Sequence, residues 1–148
     1  MILAVCKGNE DETLAIFSCL LEDTSFGDYF ERERNFEALH DDTRKLELVL
    51  QEQDEELFAH LQSIELQLGS VTPAWMLTCF FLHVTPEEAI GVLDQVLKSG
   101  KHARLLLVDF AAQHLQFLRA ELLECTDIEQ AFAILKSQRE PRSPVHHS

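Results

Sequence analysis

The chain has 148 residues, 46% of them hydrophobic and 26% charged, and a formal net charge of −14. A chain of this length can bury about 70% of its unfolded surface, enough for one core, and its composition is globular rather than fibrous or disordered. The charge sits mainly in residues 1–70, which carry 17 acidic and 5 basic side chains against 9 and 7 in residues 71–148. Nucleic acid and anionic lipid are therefore disfavoured as partners, and most of the charge reads as a solvated face.

No integral membrane segment is expected, because the longest nearly apolar run, Ala74–Leu82, has nine residues where a spanning helix needs about 20. The opening MILAVCKGNE has neither the basic start nor the apolar length of a secretory signal. Cys6, Cys19, Cys79 and Cys125 lack C-x-x-C spacing and read as reduced thiols in a cytoplasmic protein, not as a disulfide or zinc framework.

In chain order, residues 1–7 read as the last turns of a helix ended by Gly8-Asn9, so that the chain is expected to begin inside an element. Asn9 then caps a helix carrying Leu14, Phe17, Leu20 and Leu21 on one stripe. Residues 22–34 break the period and read as a connection containing Gly27. From Asn35 to about Gln53, the apolar stripe of Phe36, Leu39, Thr43, Leu46 and Leu50 predicts a helix. DEELFAHLQSI predicts a short one, with acids in its first turn to complement the helix dipole.

Each of the two Thr-Pro pairs, Thr72-Pro73 and Thr85-Pro86, predicts a helix start, with Thr as cap and Pro where no intrahelical donor is needed. Thr85-Pro86-Glu87-Glu88 has the pattern of a capping box, and its helix buries Ala89, Val92, Leu93, Val96 and Leu97 before stopping at Ser99-Gly100. Residues 102–123 are apolar on nearly every face and predict the longest helix, the central post of the core. Thr126-Asp127-Ile128-Glu129 repeats the capping logic for a last helix ending near Ser137, and residues 138–148 read as a disordered tail.

No phosphate-binding loop, H-E-x-x-H, G-x-S-x-G or calcium loop occurs. The seven histidines, at 40, 60, 83, 102, 114, 146 and 147, form no closed metal set. Glu55-Glu56 and Glu87-Glu88 are explained by helix first turns without catalysis. No catalytic, cofactor-binding or metal-binding residue is therefore assigned, and a metal- or thiol-dependent enzyme has little support. Trp75, Phe80 and Phe81 read as core rather than as a partner-binding hot spot, and the expected structural core includes Trp75, Leu77, Phe80, Leu93, Leu106 and Phe110.

The order of elements resembles the TBC domain of Rab GTPase-activating proteins. NEDETLAIFSCLLED is similar to the family's D-E-x-x-A-F-x-x-x-x-x-L-L helix through Glu12, Ala15, Phe17 and Leu20-Leu21. DEELFAHLQSIEL is similar to P-E-L-x-x-H-L through Leu57, His60 and Leu61. AWMLTCFFLHVTPEEAIGVLD is similar to W-x-L-T-x-F followed by a W-D pair, with Trp75, Leu77, Thr78 and Phe80 fitting and Leu93-Asp94 departing. Residues 102–137 resemble the long closing helix and the short one after it.

The resemblance implies an all-α bundle of about six to seven helices like the C-terminal lobe of a TBC domain, over residues 1–137. It also implies a Rab-family small GTPase as partner, a role in vesicle trafficking, and a cytoplasmic location with any endomembrane contact made through partners. The family's activity uses an Arg in I-x-x-D-x-x-R and a Gln in Y-x-Q, supplied in trans to the GTPase. Neither motif occurs here: the single Tyr29 is followed by Phe30-Glu31, and no Ile has the required spacing. The Gln motif would fall just upstream of Met1. The expectation is thus a GTPase-activator-like regulator, not itself an enzyme, with 72–94 as a joint between helices rather than a ligand pocket. A helical adaptor is the competing expectation, binding a protein partner, or an N-terminal lobe missing from this chain, through an open apolar groove.

Overall fold

The computed structural model describes residues 9–31 and 36–136. Within them the chain is mostly helical, with no strand. The helix expected over residues 1–7 and the tail expected over 138–148 lie outside the described residues.

Helix α1 (Glu10–Glu22) starts where Asn9 Oδ1 accepts the Glu12 N–H at 3.0 Å, with Glu10, Asp11 and Glu12 in the first turn. Its expected apolar stripe is only partly used. Leu20 is buried and Leu21 half-buried, whereas Leu14 is 65% and Phe17 47% exposed. The connection after it is itself ordered as a 3₁₀ segment, Ser25–Phe30, capped by Thr24, and it contributes Phe26 and Tyr29 to the core. Glycine is needed at Gly27, because a Cβ there would lie 2.0 Å from the Leu21 carbonyl oxygen. That neighbour is backbone and cannot rotate away. Gly27→Ala is expected to cost about 1–3 kcal/mol, read as a lowered urea midpoint at unchanged slope.

Helix α2 (Glu37–Gln53) has 17 residues and buries Leu39, Thr43, Leu46 and Leu50 as its period requires. Phe36 departs from that stripe: it stands in the left-handed region (φ 60°) ahead of the helix and is exposed. Asp54 closes α2 and opens α3 (Glu55–Ser63), its side chain accepting the Leu57 N–H at 3.1 Å. A turn through Glu65 (φ 61°) then leads to a short 3₁₀ segment, Leu68–Ser70.

Helix α4 (Thr72–Leu77) begins at the first Thr-Pro pair, but Thr72 does not cap it. The Thr72 hydroxyl is instead 2.7 Å from that of Thr43, tying α4 to α2 inside the core. The second pair behaves as expected: Thr85 Oγ1 accepts the Glu88 N–H at 3.3 Å and α5 (Pro86–Ser99) follows.

A 3₁₀ turn, Gly100–His102, leads into α6 (Ala103–Phe117). The single helix expected over 102–123 is interrupted at Leu118, and α7 (Arg119–Leu123) continues from there. This makes α2, not the expected segment, the longest helix. It also gives eight α-helices among the described residues instead of six to seven. The break lets Leu115, Leu118 and Leu122 all reach the core while Arg119 turns out to Asp54. Helix α8 (Ile128–Lys136) is capped one residue later than expected. Asp127 Oδ1 accepts the Gln130 N–H at 2.9 Å, and the Gln130 side chain accepts the Thr126 N–H at 2.9 Å.

Helix α6 packs against both α2 and α5, and Leu107, Val108, Ala111, Ala112 and Leu115 are buried on it. It is the central post that its all-round apolar character predicts. Among the described residues no helix is long and apolar enough to cross a membrane.

Candidate functional site

The turn after α4 brings together the aromatic residues of the 72–94 stretch. Trp75 is fully buried, and its indole N–H donates to the Leu135 carbonyl of α8 at 3.4 Å. Its ring centroid lies 5.4 Å from Phe80, 5.4 Å from His114 and 6.4 Å from His83. Phe80 meets Phe110 of α6 edge-on at 4.7 Å. Cys79 and Phe80 both take left-handed backbone, φ 49° and 64°, a conformation that costs energy for residues with a side chain. Full burial of both offsets that cost. Burial also pushes the Cys79 thiol up to about 12, so it is not a reactive nucleophile.

The residues expected in the core fall in two groups. Trp75, Phe80 and Leu93 are buried. Leu77, Leu106 and Phe110 are half-buried and pack against the core from its edge. Leu93, standing where the family pattern has Trp, fills space inside α5's packing face. Asp94 is exposed and pairs with Lys98 at 2.9 Å.

Two charged joints were not anticipated by sequence reasoning. Asp42 is 1% exposed. Its carboxylate accepts from Tyr29 Oη at 2.7 Å, from Arg104 Nε at 2.8 Å and from Arg104 Nη2 at 3.0 Å. Arg104 also donates through Nη1 to Asp28 at 2.9 Å and through Nη2 to the Ala38 carbonyl at 3.3 Å. One guanidinium thus fastens α6 to α2 and to the 3₁₀ segment, in the forked geometry that suits carboxylates. Burial, and then the Asp42 charge, push the Tyr29 phenol well above its ordinary range. A signal was available in the sequence, since Asp42 stands three residues after Leu39 and four before Leu46, on the apolar stripe itself.

In the second joint, Arg119 reaches back from α7 to Asp54 (2.6 Å from Nε) and to Glu56 (3.2 Å from Nη2), and Gln116 adds a bond to Asp54 at 2.9 Å. The hydrogen bond from Arg119 holds the Asp54 carboxyl below the ordinary range. His60, a residue of the H-L pattern, ties α3 to the loop before α8 by a 2.9 Å bond between Nε2 and the Cys125 carbonyl.

These joints engage two of the three arginines among the described residues; the third, Arg44, pairs with Asp41 on the surface of α2. No group of three or more His, Cys, Asp or Glu among the described residues is placed to hold a metal ion. Glu55 and Glu87 are exposed at helix starts, as expected for dipole complementation.

What the surface offers is concavity. A groove of about 590 Å³ runs between α2 and α3, with Leu50, Leu61, Leu66 and Leu68 in its floor and His40, Arg44 and Glu47 at its rim. Smaller depressions of about 380 and 390 Å³ flank α6 and share Asp109 and Gln113. Neither Trp75 nor Phe80 lines any of the three. The Trp75 cluster is a buried helix joint.

No curated protein and no solved structure matches the chain. The model of one family does: the Rab-GTPase-TBC domain matches residues 1–123, which takes in every element from α1 to α7. An all-helical architecture built on a central α6, and a match across most of the sequence, show that the chain belongs to the Rab-GTPase-TBC domain family.

Proposed function

We propose that this chain regulates Rab GTPases by binding them, without supplying the arginine and glutamine that speed GTP hydrolysis in the family. The observation that carries this reading is the state of its arginines. A finger must leave the protein and reach the transferred phosphoryl group, whereas Arg104 spends Nε, Nη1 and Nη2 on Asp42, Asp28 and a carbonyl. Withdrawing it would strand a buried carboxylate. Arg119 is committed in the same way to Asp54 and Glu56.

Arg44 differs, because its pair with Asp41 is exposed and such pairs are worth at most about 1 kcal/mol. Arg32, Arg34, Arg139 and Arg142 lie outside the described residues. The sole tyrosine adds support: Tyr29 is buried and followed by Phe30-Glu31, not by the x-Gln of the family motif. In this reading the TBC-like domain spans residues 1–137. Helix α8 belongs to it because Trp75 is bonded to Leu135.

Single-turnover GTP hydrolysis by a panel of Rab proteins, with and without this chain, tests the proposal. An arginine finger is worth about 10³–10⁵ in rate, so the expected result is a rate within a few-fold of the intrinsic one. Acceleration approaching a hundredfold overturns it. Repeating the assay with Arg44→Ala then shows whether the exposed arginine is responsible.

A second reading, a helical adaptor, is favoured by the exposure of Leu14 and Phe17 on α1, a helix with four acids and no base. Exposed apolar side chains of this size on a charged helix suit a protein partner. Sedimentation as a monomer, together with failure to bind a dye specific for apolar surface, would count against it.

A further inference from the structure

We propose that His83 is a proton-operated latch: protonation at Nδ1 opens the turn between α4 and α5 and releases Trp75 from the carbonyl of Leu135. This inference is independent of the Rab reading.

His83 is 5% exposed, and its Nδ1 is the only buried side-chain nitrogen or oxygen among the described residues without a hydrogen-bond partner. As the neutral tautomer with the proton on Nε2, the ring presents only a lone pair at the buried Nδ1. Adding a proton at Nδ1 puts a charged donor where no acceptor stands, which is far more costly. The turn that holds the ring is poised to yield. Cys79 and Phe80 are consecutive residues in left-handed backbone, kept there by burial of their side chains. The His83 N–H donates to the Phe80 carbonyl at 2.9 Å, so displacement of the imidazole pulls directly on that segment.

Among the described residues no hydrogen-bond partner stands at Nδ1 to share the charge. Burial alone lowers the affinity of His83 for a proton, with no carboxylate or cation contributing. On α4, the facing group is the Trp75 indole. On α6, His114 lies edge-on to the same indole, with ring centroids 5.4 Å apart. In the turn itself stands Cys79, whose thiol is un-ionised. At the start of α5, Glu87 is exposed and Glu88 is engaged with Thr85. On α8, Lys136 is exposed and lies over the Phe132 ring.

The direction of the effect follows from linkage. A solvated imidazole takes its proton at about pH 6.5, and buried His83 holds off to lower pH. Between the two values the opened turn binds a proton that the closed turn does not. Each unit of pH fall in that window therefore shifts the equilibrium about tenfold toward opening. Above pH 6.5 the latch is indifferent to pH.

Trp75 is the only tryptophan in the chain, so its emission reports the latch directly. With the full chain titrated from pH 7.5 to 4.5, a red shift with one-proton dependence is expected to set in below pH 6.5. His83→Phe keeps a flat apolar ring and removes the titration, and it should hold Trp75 emission constant until the carboxylates begin to protonate. Persistence of the wild-type response in His83→Phe overturns the proposal. Should that variant fail to fold, the wild-type ring can be followed by proton NMR, identified through its contact with Trp75. A His83 resonance titrating at or above pH 6.5 overturns the proposal equally.

Discussion

Arg104→Ala is expected to destabilise the fold by about 3–5 kcal/mol, measured by chemical denaturation. That is the range for breaking a buried pair from one side, and a large part of the 5–15 kcal/mol typical of a whole domain. The reason is what remains rather than what is lost. Asp42, 1% exposed, would be left with only the Tyr29 hydroxyl and Lys45, 3.6 Å away, as partners. Arg104→Lys should recover little, since an ammonium cannot give the two parallel bonds to Asp42 and still reach Asp28. Replacing both partners, Asp42→Leu with Arg104→Met, should cost clearly less than the sum of the single changes, because no orphaned charge remains. Additive single and double losses would show that the joint is not the coupled unit its geometry describes.

Trp75→Ala is the other large loss, also about 3–5 kcal/mol, from transfer and cavity terms together. The indole touches Phe80, His83 and His114 and bonds the Leu135 carbonyl, so its removal empties the point where α4, α6 and α8 meet. Trp75→Phe should lose less in packing but still free the carbonyl. The distinguishing measurement is hydrogen exchange. Protection in α8 (Ile128–Lys136) should fall in both variants, while α2 and α3 should be affected only as far as global stability falls. Unchanged α8 protection in Trp75→Phe would mean that the last helix is held by its apolar contacts alone.

The resulting picture is a helical member of a GTPase-regulating family in which two of the described arginines, Arg104 and Arg119, tie helices together. The guanidinium groups of Arg104 and Arg119 are turned inward onto Asp42 and Asp54. The reading without an arginine finger rests on that commitment, and the hydrolysis assay tests it.

Local chemistry by itself determined a good deal about this chain. Asn9, Thr85 and the acids of the first turns mark helix starts, because a helix leaves its first N–H groups unmatched and short-range acceptors must supply partners. The three-and-four spacing of Leu39, Thr43, Leu46 and Leu50 fixes which face of α2 turns inward. The all-helical class and the family follow from signals of this range. Tertiary structure decided the rest. Thr72 has the right sequence for a cap, yet its hydroxyl goes to Thr43, 29 residues away in the chain. Leu14 and Phe17 keep the helical period but stay exposed, since periodicity says which residues share a face and not whether another element covers it. The interruption at Leu118 and the partnership of Arg104 with Asp42 depend on α6 being brought against α2. A charge cannot reveal its partner until folding sets the two within 3 Å of each other and takes water away from both.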